Sequence, residues 1–434
     1  MADLAAKKKE RNYVLDVLKL IAAVLVVMFH FALRIYGNTG VYVNNETAGT
    51  YFWMMAKLGP FQNVMTMAFY TYTSGYWLMQ RIHKEKAARL IGRGKDTAMV
   101  GKYFISNFAS YWPYLCFGIL WGFVGLFIAH PTLLQNPQNI FMGLQNAMFE
   151  IFGIHSAGIL GHTESLFAHS CGNLAELTNE YTDITHLFID YNSPMWYLSA
   201  MIVFAPIVYI LFMKSELAGI VASIIIFTCG NAWFAIGNRN TVDPASLLFL
   251  GRCAMRLLTP MMLGIWGYYL AEYLKKAKLS NKARNVITGI GVFGVAWFIF
   301  MMVCGSGYIM MDYANFIILT VLLSGQGKIS PVLNKFLAKV PGIKNFAYIG
   351  LGLYALHTPL LCIFKFRLVN DVLKDTDEMV VFAIFMAVLV ALYIPFYFID
   401  KYVLRKIIKG LIGFFKANEP PVFDDVKPAV AEVK

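Results

Sequence analysis

Long runs of apolar residues, separated by short polar segments, repeat along nearly the whole 434-residue chain. About 20 residues at 1.5 Å per residue cover the roughly 30 Å of hydrocarbon in a bilayer. Such runs are predicted to be helices, because lipid offers no partner to an unpaired backbone N–H or C=O group. The pattern predicts about ten transmembrane helices, near Val14 to Leu33, Phe61 to Gln80, Phe104 to Ala129, Met195 to Met213, Leu217 to Ile236, Leu247 to Leu274, Val286 to Val303, Ile309 to Leu323, Phe346 to Phe366 and Val380 to Val403.

Composition supports an all-α integral membrane protein. The chain is 58% hydrophobic and only 14% charged, so a soluble domain of this make-up would expose a large apolar surface to water. The predicted organisation is a basic N-terminus at 1–13, a transmembrane domain at 14–403 and a C-terminal tail at 404–434. No small-residue cleavage site follows the first apolar run, so we expect that run to remain as an uncleaved helix.

The basic residues predict the orientation of these helices. One side of the predicted spans carries 28 of the 37 Lys and Arg residues, including seven in the loop 81–102, and the positive-inside rule assigns that side to the cytoplasm. The loop 130–191 on the opposite side contains no Lys or Arg, so it is predicted to face the exterior. Both termini are then cytoplasmic, and the net charge of +12 indicates topology rather than nucleic-acid binding.

Ionisable side chains within the predicted spans are candidates for function, because a charge at bilayer depth costs several kcal/mol. Asp16 and Lys19 are three residues apart on one face of the first helix, where they could pair with each other. His30 follows eleven residues after Lys19, roughly 16 Å closer to the exterior. Depth counting places His30, Arg256 of the sixth span and His357 of the ninth in one layer of the outer half.

These residue types suit the transfer of a group between the two sides of the membrane. A histidine with a near-neutral pKa can deprotonate a hydroxyl or accept an acyl group, an arginine can hold a carbonyl or anionic oxygen, and a lysine can meet a phosphate. Structural interpretations stay open for each. Lys19 can extend to the cytoplasmic interface, His30 and His357 can bridge helices within the core, and Arg256 can serve as a counter-ion.

Five stretches resemble the acyltransferase 3 family, in the same order along the chain. They are RNYVLDVLKLIAAVLVVMFHF at 11–31, FYTYTSGYWL at 69–78, SPMWYLS at 193–199, RLLTPMMLG at 256–264 and YALHTPL at 354–360. The family begins with a Leu-Asp element and a basic residue, then ten residues and a histidine, and Lys19 and His30 satisfy that spacing. The resemblance implies a membrane acyltransferase with His30 as the catalytic histidine and Lys19 as its basic partner on the donor path.

The resemblance also implies the substrates. The donor substrate would be acetyl-CoA or another acyl-CoA from the cytoplasm, and the acceptor a hydroxyl of a surface glycan or glycolipid at the plasma membrane of a bacterial cell. No bound cofactor and no metal are expected. His30 would act either as a general base or as an acyl carrier. The predicted substrate-binding residues are Arg256, His357, Asp16 and Trp196, the last of which offers a stacking face to a sugar ring.

One departure from the family concerns the donor. Members often carry Arg-x-x-Arg leading into the third helix, where this chain has Asn107 and Ser110. If those arginines bind donor phosphates in the family, this chain must use other residues, for which Lys102 and Arg93 are candidates. The basic loop 81–102 has a favourable field for a polyanion, although positive-inside topology alone accounts for its charge. The alternative function is export of a polysaccharide or glycolipid, which no inverted repeat or pair of broken helices in the sequence supports.

Overall fold

The computed structural model describes residues 11–31, 68–87, 96–129, 196–236, 247–304, 308–369 and 376–417, with a few isolated positions between them. Every regular element within these ranges is a helix, in agreement with the predicted all-α class. The helices are α1 (Tyr13–Phe31), α2 (68–87), α3 (Asp96–Ala129), α4 (Trp196–Lys214), α5 (Glu216–Ile236), α6 (Leu247–Lys276), α7 (Asn281–Cys304), α8 (Tyr308–Ser324), α9 (Ile329–Leu337), α10 (Phe346–Ile363), α11 (Glu378–Ile399) and α12 (Arg405–Ala417).

A helix overlaps each of the ten predicted spans. Among the described residues, three helical stretches are long and apolar enough to cross a membrane, namely Met99–Ala129, Asn281–Met301 and Glu378–Phe414. A fourth is added if Asp312–Ser324 and Ile329–Leu337, which meet at a bend of 74°, form one broken span. The count of ten spans, the cytoplasmic termini and the orientation stay predictions.

Two helices continue beyond the apolar runs that predicted them. The helix α3 has 34 residues and is about 51 Å long, more than the hydrocarbon thickness of a bilayer requires. The helix α11 continues through a π-helical segment, Asp400–Leu404, into the 13 residues of α12, so the predicted C-terminal tail begins as a helix. The nine-residue helix α9 is too short for the apolar-run criterion to detect.

The helices α1 and α10 lie side by side and run in the same direction. They come close together at Gly350, where a Cβ atom would lie 3.3 Å from the Lys19 carbonyl oxygen and 3.4 Å from the Ala23 Cβ. His30 follows Ala23 by seven residues, and His357 follows Gly350 by seven residues, which is two helical turns in each helix. Because residues seven apart share a helix face, this close approach sets the register in which the histidines meet.

A second close approach joins α2 to α6. A Cβ atom on Gly75 would overlap the Met261 carbonyl oxygen, and one on Gly264 would overlap the carbonyl oxygen of Tyr72. Small residues of this kind let two backbones come together, which is a common basis of helix association in membranes. Both glycines belong to stretches that carry the family resemblance.

The start of α1 is held by its own cap and by α9. The side chain of Asn12 accepts a hydrogen bond from the Leu15 N–H at 3.1 Å, as an N-cap residue does. Asn334 of α9 accepts one from the Tyr13 N–H at 2.6 Å and donates one to the Arg11 carbonyl oxygen at 3.2 Å. These contacts satisfy backbone groups that the first helical turn leaves unpaired.

We expect Gly75→Ala to destabilise the protein by about 1–3 kcal/mol, because the added methyl group has no space against the backbone of α6. The matched control is Gly289→Ala in α7, where a Cβ atom would meet nothing within 4 Å. That control should be neutral or stabilising by about 0.5–1 kcal/mol, the helix propensity of Ala over Gly. Heating detergent-solubilised protein and following the monodisperse fraction by size-exclusion chromatography measures both, and equal shifts would contradict the packing argument.

Candidate functional site

Two histidines from neighbouring helices form the centre of the candidate site. His30 of α1 is 7% exposed, and His357 of α10 is completely buried. The Nδ1 atom of His30 lies 2.9 Å from the Nε2 atom of His357, and the two ring centroids are 5.1 Å apart. The two histidines that depth counting placed in one layer are therefore in direct contact.

The surroundings of His357 determine which of its nitrogens carries a hydrogen. Its Nδ1 atom lies 3.0 Å from the Leu353 carbonyl oxygen and 2.8 Å from that of Tyr354. Carbonyl oxygens only accept hydrogen bonds, so Nδ1 is the donor and Nε2 of the neutral ring holds the lone pair. The hydroxyl of Thr358 is also within hydrogen-bond distance of Nε2, at 3.1 Å.

This arrangement in turn assigns the tautomer of neutral His30. Because His357 offers a lone pair, the hydrogen between the two rings belongs to Nδ1 of His30, and the lone pair of His30 is left on Nε2. A histidine oriented by a third group in this way is the usual arrangement of a catalytic base or nucleophile. His357 contacts the catalytic candidate, and its predicted role in substrate binding stays a prediction.

Lys19 lies on the same face of α1 as His30, about three turns closer to the N-terminus. Its side chain is half-buried. The backbone carbonyl oxygen of Lys19 accepts a hydrogen bond from the Tyr70 hydroxyl at 2.6 Å, which joins α1 to α2 at this level. Within the described residues, the Lys19 ammonium forms no ion pair.

Asp16 does not pair with Lys19. Its carboxylate accepts a hydrogen bond from Nε of Arg11 at 2.6 Å, and the same guanidinium donates to the Lys344 carbonyl oxygen at 2.6 Å. Arg11 precedes the helix and can fold back onto its first turn, which gives Asp16 a closer cation than Lys19. Asp16 is thereby part of the contacts that anchor the start of α1, and its predicted role in substrate binding stays a prediction.

The other two predicted substrate-binding residues can be placed only by their backbones. Arg256 belongs to α6 and Trp196 is the first residue of α4. Both side chains lie outside the part of the chain that the structure describes. The predicted approach of Arg256 to the histidine pair therefore stays a prediction.

Three tyrosines that the sequence interpretation did not single out, Tyr70, Tyr197 and Tyr354, lie near Lys19 and His357. The Tyr197 hydroxyl lies 2.8 Å from the Ser74 hydroxyl, and the rings of Tyr70 and Tyr197 are 6.3 Å apart. The ring of Tyr354 lies 6.2 Å from that of His357. The sequence did contain a signal for these tyrosines, because they belong to the stretches at 69–78, 193–199 and 354–360 that resemble the family.

Part of the basic loop 81–102 is neutralised within the fold. Arg81 pairs with Glu85 at 2.7 Å, and its guanidinium lies 4.8 Å from the centre of the Tyr103 ring. Lys86 pairs with Glu216 at 3.3 Å. Of the two cations predicted to hold donor phosphates, Lys102 is exposed and Arg93 lies outside the described residues.

Of the two polar residues at the positions of the family's Arg-x-x-Arg, Asn107 joins α3 to α4 and Ser110 bonds within α3. The Asn107 amide donates to the Met201 carbonyl oxygen of α4 at 2.9 Å, and the Ser110 hydroxyl donates to the Ser106 carbonyl oxygen at 2.6 Å. Neither side chain supplies a cation for a phosphate. Across the described ranges, no three His, Cys, Asp or Glu side chains are grouped closely enough to hold a metal ion.

Comparison with known proteins identifies the chain by its sequence. A family described as an acyltransferase domain matches residues 12–400, nearly the full length. No curated protein and no solved structure matches the chain. The match confirms the resemblance seen in the five stretches, and it covers both histidines, Lys19 and the three tyrosines of the site. The chain belongs to the acyltransferase 3 family of membrane acyltransferases.

Proposed function

We propose that this protein transfers an acetyl group from cytoplasmic acetyl-CoA to a hydroxyl of a cell-envelope glycan, with His30 as the reacting residue. The observation that carries the proposal is the hydrogen bond between His30 and His357. It leaves the lone pair of His30 on Nε2, where a base or nucleophile needs it. The burial of both rings supports a reaction protected from bulk water.

In direct transfer, His30 acts as a general base. The acceptor oxygen attacks the thioester carbon while its proton moves to Nε2 of His30. The new C–O bond forms, the C–S bond breaks, and the leaving thiolate takes the proton to give the free thiol of CoA. In the covalent route, Nε2 of His30 attacks the thioester carbon and the CoA thiolate leaves. The acceptor oxygen then attacks the acetyl carbon, the C–N bond breaks, and the acceptor proton passes to the freed Nε2 and on to the thiolate. Both routes use the same atom of His30.

His357 would act as a positioning residue through His30. When His30 becomes an imidazolium, its Nδ1–H points at the Nε2 lone pair of His357, which stabilises the new charge. The Nδ1–H of His357 stays hydrogen-bonded to two backbone carbonyl oxygens. The negative ends of these carbonyl dipoles stabilise any part of the imidazolium charge that His357 takes from His30. This corresponds to the role of the third member of a catalytic triad, although here the group is a neutral imidazole.

Lys19 would bind the acyl-CoA donor. An ammonium that is half-buried and has no carboxylate partner among the described residues can form a charge-assisted hydrogen bond to a phosphate or amide oxygen. Its position on the same helix face as His30 supports an approach of the thioester from that side. The Arg11–Asp16 pair supports this role, because it leaves Lys19 without the nearest carboxylate.

His30→Ala should remove ester-linked acyl groups from the surface glycan and leave the amount of polymer unchanged. The measurement is NMR of the isolated glycan, before and after mild alkali, from a deletion strain complemented with wild type or variant at matched membrane abundance. Loss of the polymer itself, with normal acylation of what remains, would contradict acyl transfer and favour export.

His357→Leu should lower the transfer rate about 10²–10⁴-fold, because the tautomer and the imidazolium of His30 lose their acceptor. His357→Gln should recover roughly tenfold or more of that loss, since an amide oxygen can accept the same hydrogen bond. Transfer of labelled acetyl from acetyl-CoA to the glycan fraction of isolated membranes gives both rates. Equal activity of the two variants would contradict a positioning role.

Lys19→Gln should raise the KM for acetyl-CoA by about 10–100-fold, the value of one hydrogen bond to a charged group. Lys19→Arg is the matched control and should stay near wild type, because it keeps the charge. The same membrane assay, run over a range of acetyl-CoA concentrations, separates KM from kcat. An unchanged KM in Lys19→Gln would show that the lysine only extends to the interface.

A further inference from the structure

The hydroxyl of Tyr354 is buried and has no hydrogen-bond partner within the described part of the chain. The residue as a whole is 5% exposed. Buried polar groups in folded proteins are nearly always hydrogen-bonded, and the exceptions concentrate at sites with a chemical role. A phenylalanine would fill nearly the same space without leaving a polar group unpaired, so the oxygen itself requires an explanation.

Other tyrosines of the helix bundle do not share this feature. Tyr70 donates to the Lys19 carbonyl oxygen, Tyr72 lies 2.7 Å from the Thr320 hydroxyl, and Tyr197 lies 2.8 Å from that of Ser74. Tyr114 donates to the Asp400 carboxylate at 2.6 Å. Within the described residues, the fold therefore satisfies the hydroxyls of these four tyrosines and leaves that of Tyr354 with its full hydrogen-bonding capacity.

The position of Tyr354 connects the two ends of the proposed site. It lies one turn beyond Gly350, which touches α1 at Lys19, and three residues before His357, which touches α1 at His30. Residues three and four apart are neighbours on one helix face. The rings of Tyr354 and His357 are 6.2 Å apart. A thioester that reached His30 from the side of Lys19 would pass this phenol.

We propose that Tyr354 is a further catalytic residue, whose hydroxyl donates a hydrogen bond to the thioester carbonyl oxygen of the bound acyl donor. The inference rests on the proposed function. When Nε2 of His30 or the acceptor oxygen adds to the carbonyl carbon, the electron pair of the C=O bond moves to the oxygen, and the donated hydrogen bond strengthens. Tyr354 keeps its proton throughout, and the C=O bond re-forms as the C–S bond breaks. A tyrosine hydroxyl is an established type of donor for such an oxyanion.

Tyr354→Phe tests this, because it removes one oxygen atom and no hydrogen bond to any residue that the structure describes. We expect kcat for acetyl transfer in isolated membranes to fall about 10²–10³-fold, as after loss of one oxyanion donor. The KM for acetyl-CoA should change less than about threefold, because the hydrogen bond is strongest in the transition state. The apparent melting temperature of the purified protein should be equal to that of wild type or higher, because no partner is lost.

The matched control is Tyr72→Phe, which removes the hydroxyl of a buried tyrosine that does have a partner, Thr320. Tyr72 packs against α6 and α8, away from the histidine pair. This variant should melt at a lower temperature and keep kcat within about twofold of wild type, since a structural hydrogen bond supports stability and not the reaction.

A wild-type kcat in Tyr354→Phe would overturn the inference and leave Tyr354 as a packing residue. A lower melting temperature in Tyr354→Phe would also overturn it, because the hydroxyl would then have a structural partner. If His30→Ala abolishes acylation and Tyr354→Phe does not, only this inference fails. If His30→Ala keeps acylation, the proposed function fails whatever Tyr354→Phe shows.

Discussion

The parallel packing of α1 against α10 is the constraint on which the site depends. Two imidazole rings are buried here, and burial of a polar group is costly unless it is hydrogen-bonded. Each ring can satisfy the other only if the helices are close and in one register. The helices can come close because Gly350 lies opposite Ala23. The register is right because His357 follows Gly350 by seven residues and His30 follows Ala23 by the same number.

The rest of the bundle holds this pair in place from several directions. Asn334 of α9 fixes the start of α1, and the Tyr70 hydroxyl ties the middle of α1 to α2. On the far side of α10, Gly125 packs against Pro359, and the Trp121 indole donates to the Leu356 carbonyl oxygen at 3.0 Å. Three of the stretches that carry the family resemblance take part in these contacts, through Tyr13, Tyr70 and the segment from Leu356 to Pro359.

Polar groups lie inside the helix bundle and many large apolar side chains lie outside. Buried residues include the two histidines, Thr71 and Asp400, the last of which is held by Tyr114 and Arg405. Most of the apolar side chains of α7 are exposed, as a surface in contact with lipid requires. This distribution supports hydrogen bonding and close backbone approach, rather than apolar burial alone, as the basis of helix association.

The sequence by itself determined the helical class, the positions of the main helices and the family, because each depends on apolar run length or on local stretches of residues. It also identified Lys19, His30 and His357, since an ionisable residue in an apolar run is visible without a fold. Only the tertiary structure decided their partners. Asp16 pairs with Arg11 rather than Lys19, His357 contacts His30, and Tyr354 has an unpaired hydroxyl, because these outcomes depend on distances between helices that run length and periodicity do not encode.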